Sequence, residues 1–114
     1  MVQDKAMKID QARSYALSLP EATEEPHFDL ASFRVRGKIF ATVPVDQAHL
    51  HVFVAEEERE LMTSIDAAAY EKLWWGKKVV GLRVTLAKAK RADVESLLLS
   101  AWRRKAPKAL TQVE

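Results

Sequence analysis

The chain predicts an α+β fold: a two-layer sandwich in which an antiparallel sheet of four or five strands packs against N-terminal, middle and C-terminal helices. Three observations lead there. Short runs of strand formers alternate apolar and polar positions with period two, as in Phe33-Arg34-Val35-Arg36 and Leu82-Arg83-Val84. Two other runs repeat apolar residues at three- and four-residue spacing, Ile9, Ala12, Ala16 and Leu19 near the start and Val94, Leu97, Leu98, Ala101 and Trp102 near the end. Strands with one apolar and one polar face suit an antiparallel sheet covered on one side, because parallel strands are buried on both faces.

With 114 residues, 48% of them hydrophobic, the chain is long enough for one core, so a single domain over residues 1–114 is expected. There is no cysteine, hence no disulfide framework, thiolate metal site or thiol nucleophile. Met1–Ile9 is polar and carries Asp4, Lys5 and Lys8, and nowhere do 18 apolar residues run together. A cytoplasmic protein that does not cross a membrane is the expectation.

The first helix is expected from Asp4 or Ile9 to Leu19, ended by Pro20, because a residue before proline is driven out of the α region. Glu21–Pro26 reads as an acidic connection leading through His27-Phe28-Asp29 into a hairpin over Ser32–Val43, with Gly37-Lys38 as its turn. A core on the Phe33/Val35 side leaves Arg34 and Arg36 on the other face. A three-residue turn would instead exchange the faces of Ile39 and Phe40.

Pro44–Ala48 is a turn, and His49–Val54 is a third strand with Leu50, Val52 and Val54 on one side and His49, His51 and Phe53 on the other. Two histidines on one face supply half a zinc shell, which Asp46 or His27 would have to complete, yet no second cluster with ligand spacing exists. Glu56–Ile65 reads as a helix whose acidic first turn complements the macrodipole. Asp66 then caps a short helical turn from Ala67 to Leu73, delivering Trp74 and Trp75, of which one is expected in the core. Gly76-Lys77-Lys78 is a turn before the clearest strand, Val79–Leu86, and it lacks the second glycine and the Ser or Thr of a phosphate loop. Lys88, Lys90 and Arg91 bridge to the last helix, anchored by Trp102 and ended by Pro107.

The net charge of +2 conceals a division. Residues 1–75 hold 8 Lys and Arg against 13 Asp and Glu, whereas residues 76–114 hold 10 against 3. Such polarity suits an anionic partner and equally a solvated face.

Five short pieces in order, Leu19-Pro20-Glu21, Pro26-His27-Phe28, Ser32-Phe33-Arg34-Val35-Arg36-Gly37-Lys38 with Phe40-Ala41, Trp75-Gly76-Lys77-Lys78, and Ala106-Pro107-Lys108 with Leu110, resemble the signature positions of the MmcQ/YjbR family. The resemblance spans about residues 15–110. It departs after the Gly-Lys turn, where the family shows Gly-Trp and this chain has Val79-Val80, a role open to Trp74. The resemblance implies a compact fold similar to the type III secretion chaperones, a DNA-binding role through wing-like hairpins and no known catalytic residues, and the residues themselves show no cofactor-binding motif.

The residues that would contact phosphates are Arg34, Arg36 and Lys38 on one hairpin and Lys77, Lys78 and Arg83 near the other, with the basic C-terminal region beside them. No basic recognition helix is apparent, so specificity for base sequence is expected to be weak. Two other classes stay open. One is a protein-interaction or chaperone-like module using an apolar surface of Trp74, Phe53 or Ile39. The other is a small-ligand or metal activity around His27, His49 and His51.

Overall fold

A computed structural model describes residues 7–111. Its order is α1 (Ile9–Ser18), β1 (Ala22–His27), β2 (Leu30–Val35), β3 (Lys38–Val43), β4 (His49–Val52), α2 (Glu56–Ile65), β5 (Tyr70–Trp75), β6 (Lys78–Thr85), a 3-10 turn (Leu86–Lys88), α3 (Arg91–Lys105) and α4 (Lys108–Thr111). The α+β class holds. The sheet has six antiparallel strands in the order β1-β2-β3-β4-β6-β5, more than the four or five expected. Asp4, the alternative start of the first helix, lies outside the described residues.

Both extra strands are edge strands, and each hides its character. β1 is Ala-Thr-Glu-Glu-Pro-His, polar and broken by Pro26, a composition tolerated only where one side of the strand needs no partner. β5 occupies the stretch expected to be a helical turn. Asp66 closes α2 and its Oδ1 accepts from the Ala69 amide (3.3 Å), and the chain then runs extended from Tyr70 along β6.

The hairpin turn also sits one residue earlier than expected. Val35 pairs with Lys38, so the loop is Arg36-Gly37, with φ of +52° and +83°. Two positive φ values give the turn whose twist matches the flanking strands. A bulge between Phe33 and Arg34 and their β3 partners then lets both Phe33 and Phe40 reach the core, their ring centroids 6.5 Å apart.

The core is one cluster. Phe33, Val35, Phe40, Val43, Leu50, Val52, Leu82 and Val84 from the sheet meet Ala12 and Ala16 of α1, Met62 of α2, and Val94, Leu97, Leu98, Ala101 and Trp102 of α3. Each large side chain removed from water here contributes about 1.5–3 kcal/mol. Trp102 is the expected anchor, and its Nε1 donates to the Pro20 carbonyl (3.0 Å), tying the last helix to the loop after the first. Among the described residues, no helix is long and apolar enough to cross a membrane.

The face of the sheet away from this core combines apolar residues such as Leu30, Ile39 and Leu73 with a polar row. One residue from each strand falls in a single lateral row, Glu25, Ser32, Thr42, His51, Arg83 and Glu71.

Candidate functional site

β3 and β6 both run antiparallel to β4 and flank it, so the tips of the β2–β3 and β5–β6 hairpins lie at the same end of the sheet. The second tip is the two-residue loop Gly76-Lys77, with Gly76 at φ +61°. Between the tips the chain leaves β4 through Phe53, whose ring meets Trp75 edge to face at 5.7 Å. Burial falls along β5 from Tyr70 at 2% exposed to Trp74 at 57% and Trp75 at 62%. Neither of the adjacent tryptophans is in the core, contrary to expectation. A bulge between Leu73 and Trp74 and their β6 partners turns the strand just where it passes the core.

A cleft of about 980 Å³ opens across this end and along the face of the sheet away from the core. Lys38, Arg59, Lys78, Arg104 and Lys105 line it, with no Asp or Glu in its lining. Four of the chain's seven Phe and Trp residues line it as well: Phe28, Phe53, Trp74 and Trp75. Arg59 and Arg104 are steered by backbone carbonyls rather than by carboxylates, Arg59 donating to Val54 O (2.8 Å) and Arg104 to Phe53 O (2.7 Å). Each guanidinium keeps further donors for a ligand.

The six basic residues singled out from the sequence divide in two. Arg34 donates to Ser32 Oγ (3.0 Å) and to the Pro26 carbonyl (3.2 Å), with Glu25 at 3.9 Å. Arg36 grips Glu21 with both arms of its guanidinium, one contact measuring 3.0 Å. Arg83 donates to His51 Nε2 (2.9 Å) and lies 3.6 Å from both Asp46 and Glu71. Lys38, Lys77 and Lys78, by contrast, have no carboxylate within 4.0 Å among the described residues. The structure therefore brings Lys38 and Lys78 into one cleft, sets Lys77 at its rim, and engages the three arginines with neighbouring groups of the same chain.

Electrostatics follow that pairing. The Arg36 hydrogen bonds hold the Glu21 carboxyl below its usual range, and those same bonds raise Arg36. His51 is pushed down to about 4, first by burial, then by the neighbouring Arg83 and His49, with Asp46 opposing. It is neutral at pH 7. Since Arg83 can only donate, Nε2 is the acceptor and the ring proton sits on Nδ1, facing Thr42 Oγ1 at 3.4 Å. His49 Nδ1 meets Asp46 Oδ2 at 2.7 Å, while the Asp46 Oδ1 caps the Ala48 and His49 amides. His49 and His51 thus serve the loop and the sheet row, His27 lines the cleft with its ring 4.8 Å from that of Phe28, and among the described residues no three His, Asp or Glu side chains gather as metal ligands do.

Sequence reasoning left one contribution unplaced and missed another. Arg104 and Lys105 belong to the basic C-terminal region expected beside the hairpins, and only the packing of α3 under β3 shows that its last turn reaches the cleft. Arg59 sat in an acidic run, Glu-Glu-Glu-Arg-Glu, with no signal that it alone would turn inward.

No curated protein matches the sequence. A family model described as YjbR matches residues 17–104, a span that includes both hairpins, α2 and nearly all of α3. The match takes in every signature piece found in the sequence except Ala106-Pro107-Lys108 with Leu110, which lies beyond it. With more than half of its length covered, and with the hairpins that carry the cleft inside that span, the chain belongs to the YjbR family.

Proposed function

We propose that this protein is a non-enzymatic DNA-binding domain of the cytoplasm. It contacts phosphates through the cleft between its two hairpins and reads base sequence weakly. The observation that carries this reading is the cleft's composition: five cationic side chains and no carboxylate, on a molecule with 16 acidic residues. A phosphate-rich chain lying there meets positive charge from β3, β6, α2 and α3 at once. Nothing in this arrangement puts a helix into a groove, so the energy is electrostatic and falls as salt rises.

The test is fluorescence anisotropy of labelled DNA at several salt concentrations with a Lys38→Glu/Lys78→Glu variant. The double reversal weakens binding for every sequence tried and lowers the salt slope by about two units, one per lost phosphate contact. Unchanged binding overturns the assignment of the cleft. The exposed pair Trp74 and Trp75 favours a second reading, a module that docks a protein partner. A partner captured independently of salt, and lost on Trp74→Ala, replaces the DNA reading.

A further inference from the structure

A surface built only to hold phosphates has no use for large aromatic rings in water, yet this cleft presents three. Phe28 is 92% exposed, Trp74 57% and Trp75 62%, and all three line the same cavity as Lys38, Lys78 and Lys105. None of them is there by default. Phe28 takes the first position of the β1–β2 loop at φ +58°, a left-handed conformation that disfavours a side chain of this size. Trp74 and Trp75 end an edge strand that needs no apolar residue beyond the core.

We infer that the ligand of the cleft is a single-stranded stretch of nucleic acid, whose unpaired bases stack on Trp74 and Trp75 while its phosphates meet the surrounding lysines. The inference rests on the phosphate-binding reading above and narrows it. In a duplex the faces of the bases are covered by their neighbours, so exposed rings gain nothing from it except at an end. In a single strand each base offers a π-face, and a positive groove with aromatic platforms is the usual way such strands are held without sequence preference. Arg104, seated on the Phe53 carbonyl beside the Phe53–Trp75 pair, adds a cationic plane to the same platform.

The distinguishing experiment compares four labelled ligands of equal length, about 12 nucleotides: oligodeoxythymidine, oligouridine, a mixed-sequence duplex and an abasic strand with the same phosphates. At low salt at least one of the two single strands binds about tenfold or more tightly than the duplex and the abasic strand. That strand quenches the intrinsic fluorescence, and the two sugar arms show whether DNA or RNA is preferred. A Trp74→Ala/Trp75→Ala variant keeps the buried Trp102 and its thermal melt, and loses both the quenching and the advantage of bases over bare backbone. If duplex and abasic strand bind as tightly as the single strands, or the double variant behaves as the parent, the inference is overturned while the phosphate reading stands. If none of the four binds at low salt, both fall.

Discussion

The two hairpins that frame the cleft are built alike and behave differently. Each closes with a two-residue loop containing a glycine at positive φ, each contains a bulge, and each has one strand beside β4. The first has a further neighbour, β1, and the acids in and just before that strand take its arginines: Glu21 holds Arg36, and Glu25 lies by Arg34. The second is the edge of the sheet. Among the described residues no strand lies beyond β5, and Lys77, Lys78, Trp74 and Trp75 are exposed. Counted by sequence, the first hairpin is as basic as the second. Sheet order decides which charge is available to a partner.

The largest effect is expected where the second hairpin is seated against β4. A Cβ added at Gly81 would come within 2.1 Å of the Val52 carbonyl oxygen, a backbone atom that cannot swing away. Gly81→Ala therefore forces β6 from β4 and costs about 3 kcal/mol, read as a lower urea midpoint or loss of soluble protein. Gly81 retaining full stability as alanine would show that the two hairpins are not held in fixed relation, and the shared cleft would lose its basis.

Between the hairpins, His51 on β4 touches Thr42 of the first and Arg83 of the second, with His49, Asp46 and Glu71 nearby. Its folded state favours the neutral ring, at about 4 against 6.5 in the unfolded chain. Between those values the unfolded chain binds more protons, so this contribution is whole above pH 6.5 and is lost as pH falls toward 4. After allowance for solvent screening at this half-exposed site it amounts to about 1–2 kcal/mol. The comparison to make is parent against His51→Gln by chemical denaturation at pH 7 and 4.5. The parent should lose more stability than the variant by that amount, and equal losses would mean that the ring is freely solvated.

At the first tip, Gly37→Ala meets open space but must hold φ +83°. It costs about 1 kcal/mol in turn strain, well below Gly81→Ala. A loss as large as that of Gly81→Ala would place the first tip, not the second, at the mechanical centre of the end of the sheet.

Helices α1 and α3 were legible because the apolar period survives in both, and α2 runs over the same Glu56–Ile65 as the sequence indicates, whereas the short α4 after Pro107 was not expected. The edge strands were not. Ala22–His27 carries no apolar alternation because an edge strand can be polar on both faces, and Tyr70–Trp75 follows an Ala-rich segment that looks helical in isolation. The hairpin turn moved by one residue because its choice lay in the twist of the turn, which an arginine at φ +52° satisfies without announcing it. The cleft was half legible. Lys38 and Lys78 stand beside recognisable glycine turns, whereas Arg59, Arg104 and Lys105 enter only through tertiary packing. The capture of Arg36 by Glu21 depends on a strand that the sequence did not show.

That capture gives the smallest and most pointed prediction. If pairing alone silences Arg36 on the first hairpin, neutralising its partner restores it. Glu21→Gln leaves the fold essentially unchanged, because both groups of the pair are exposed to solvent. It frees a guanidinium one residue from Gly37, which lines the cleft. Nucleic-acid affinity at low salt then rises about two- to fivefold, and the salt slope steepens by about one unit, as for one added phosphate contact. Combining it with Arg36→Gln should cancel the gain. A Glu21→Gln variant with unaltered affinity would mean that Arg36 is silent by position rather than by pairing. Binding would then rest on Lys38 and the β5–β6 side of the cleft, where among the described residues no neighbouring strand brings acids to compete for the lysines.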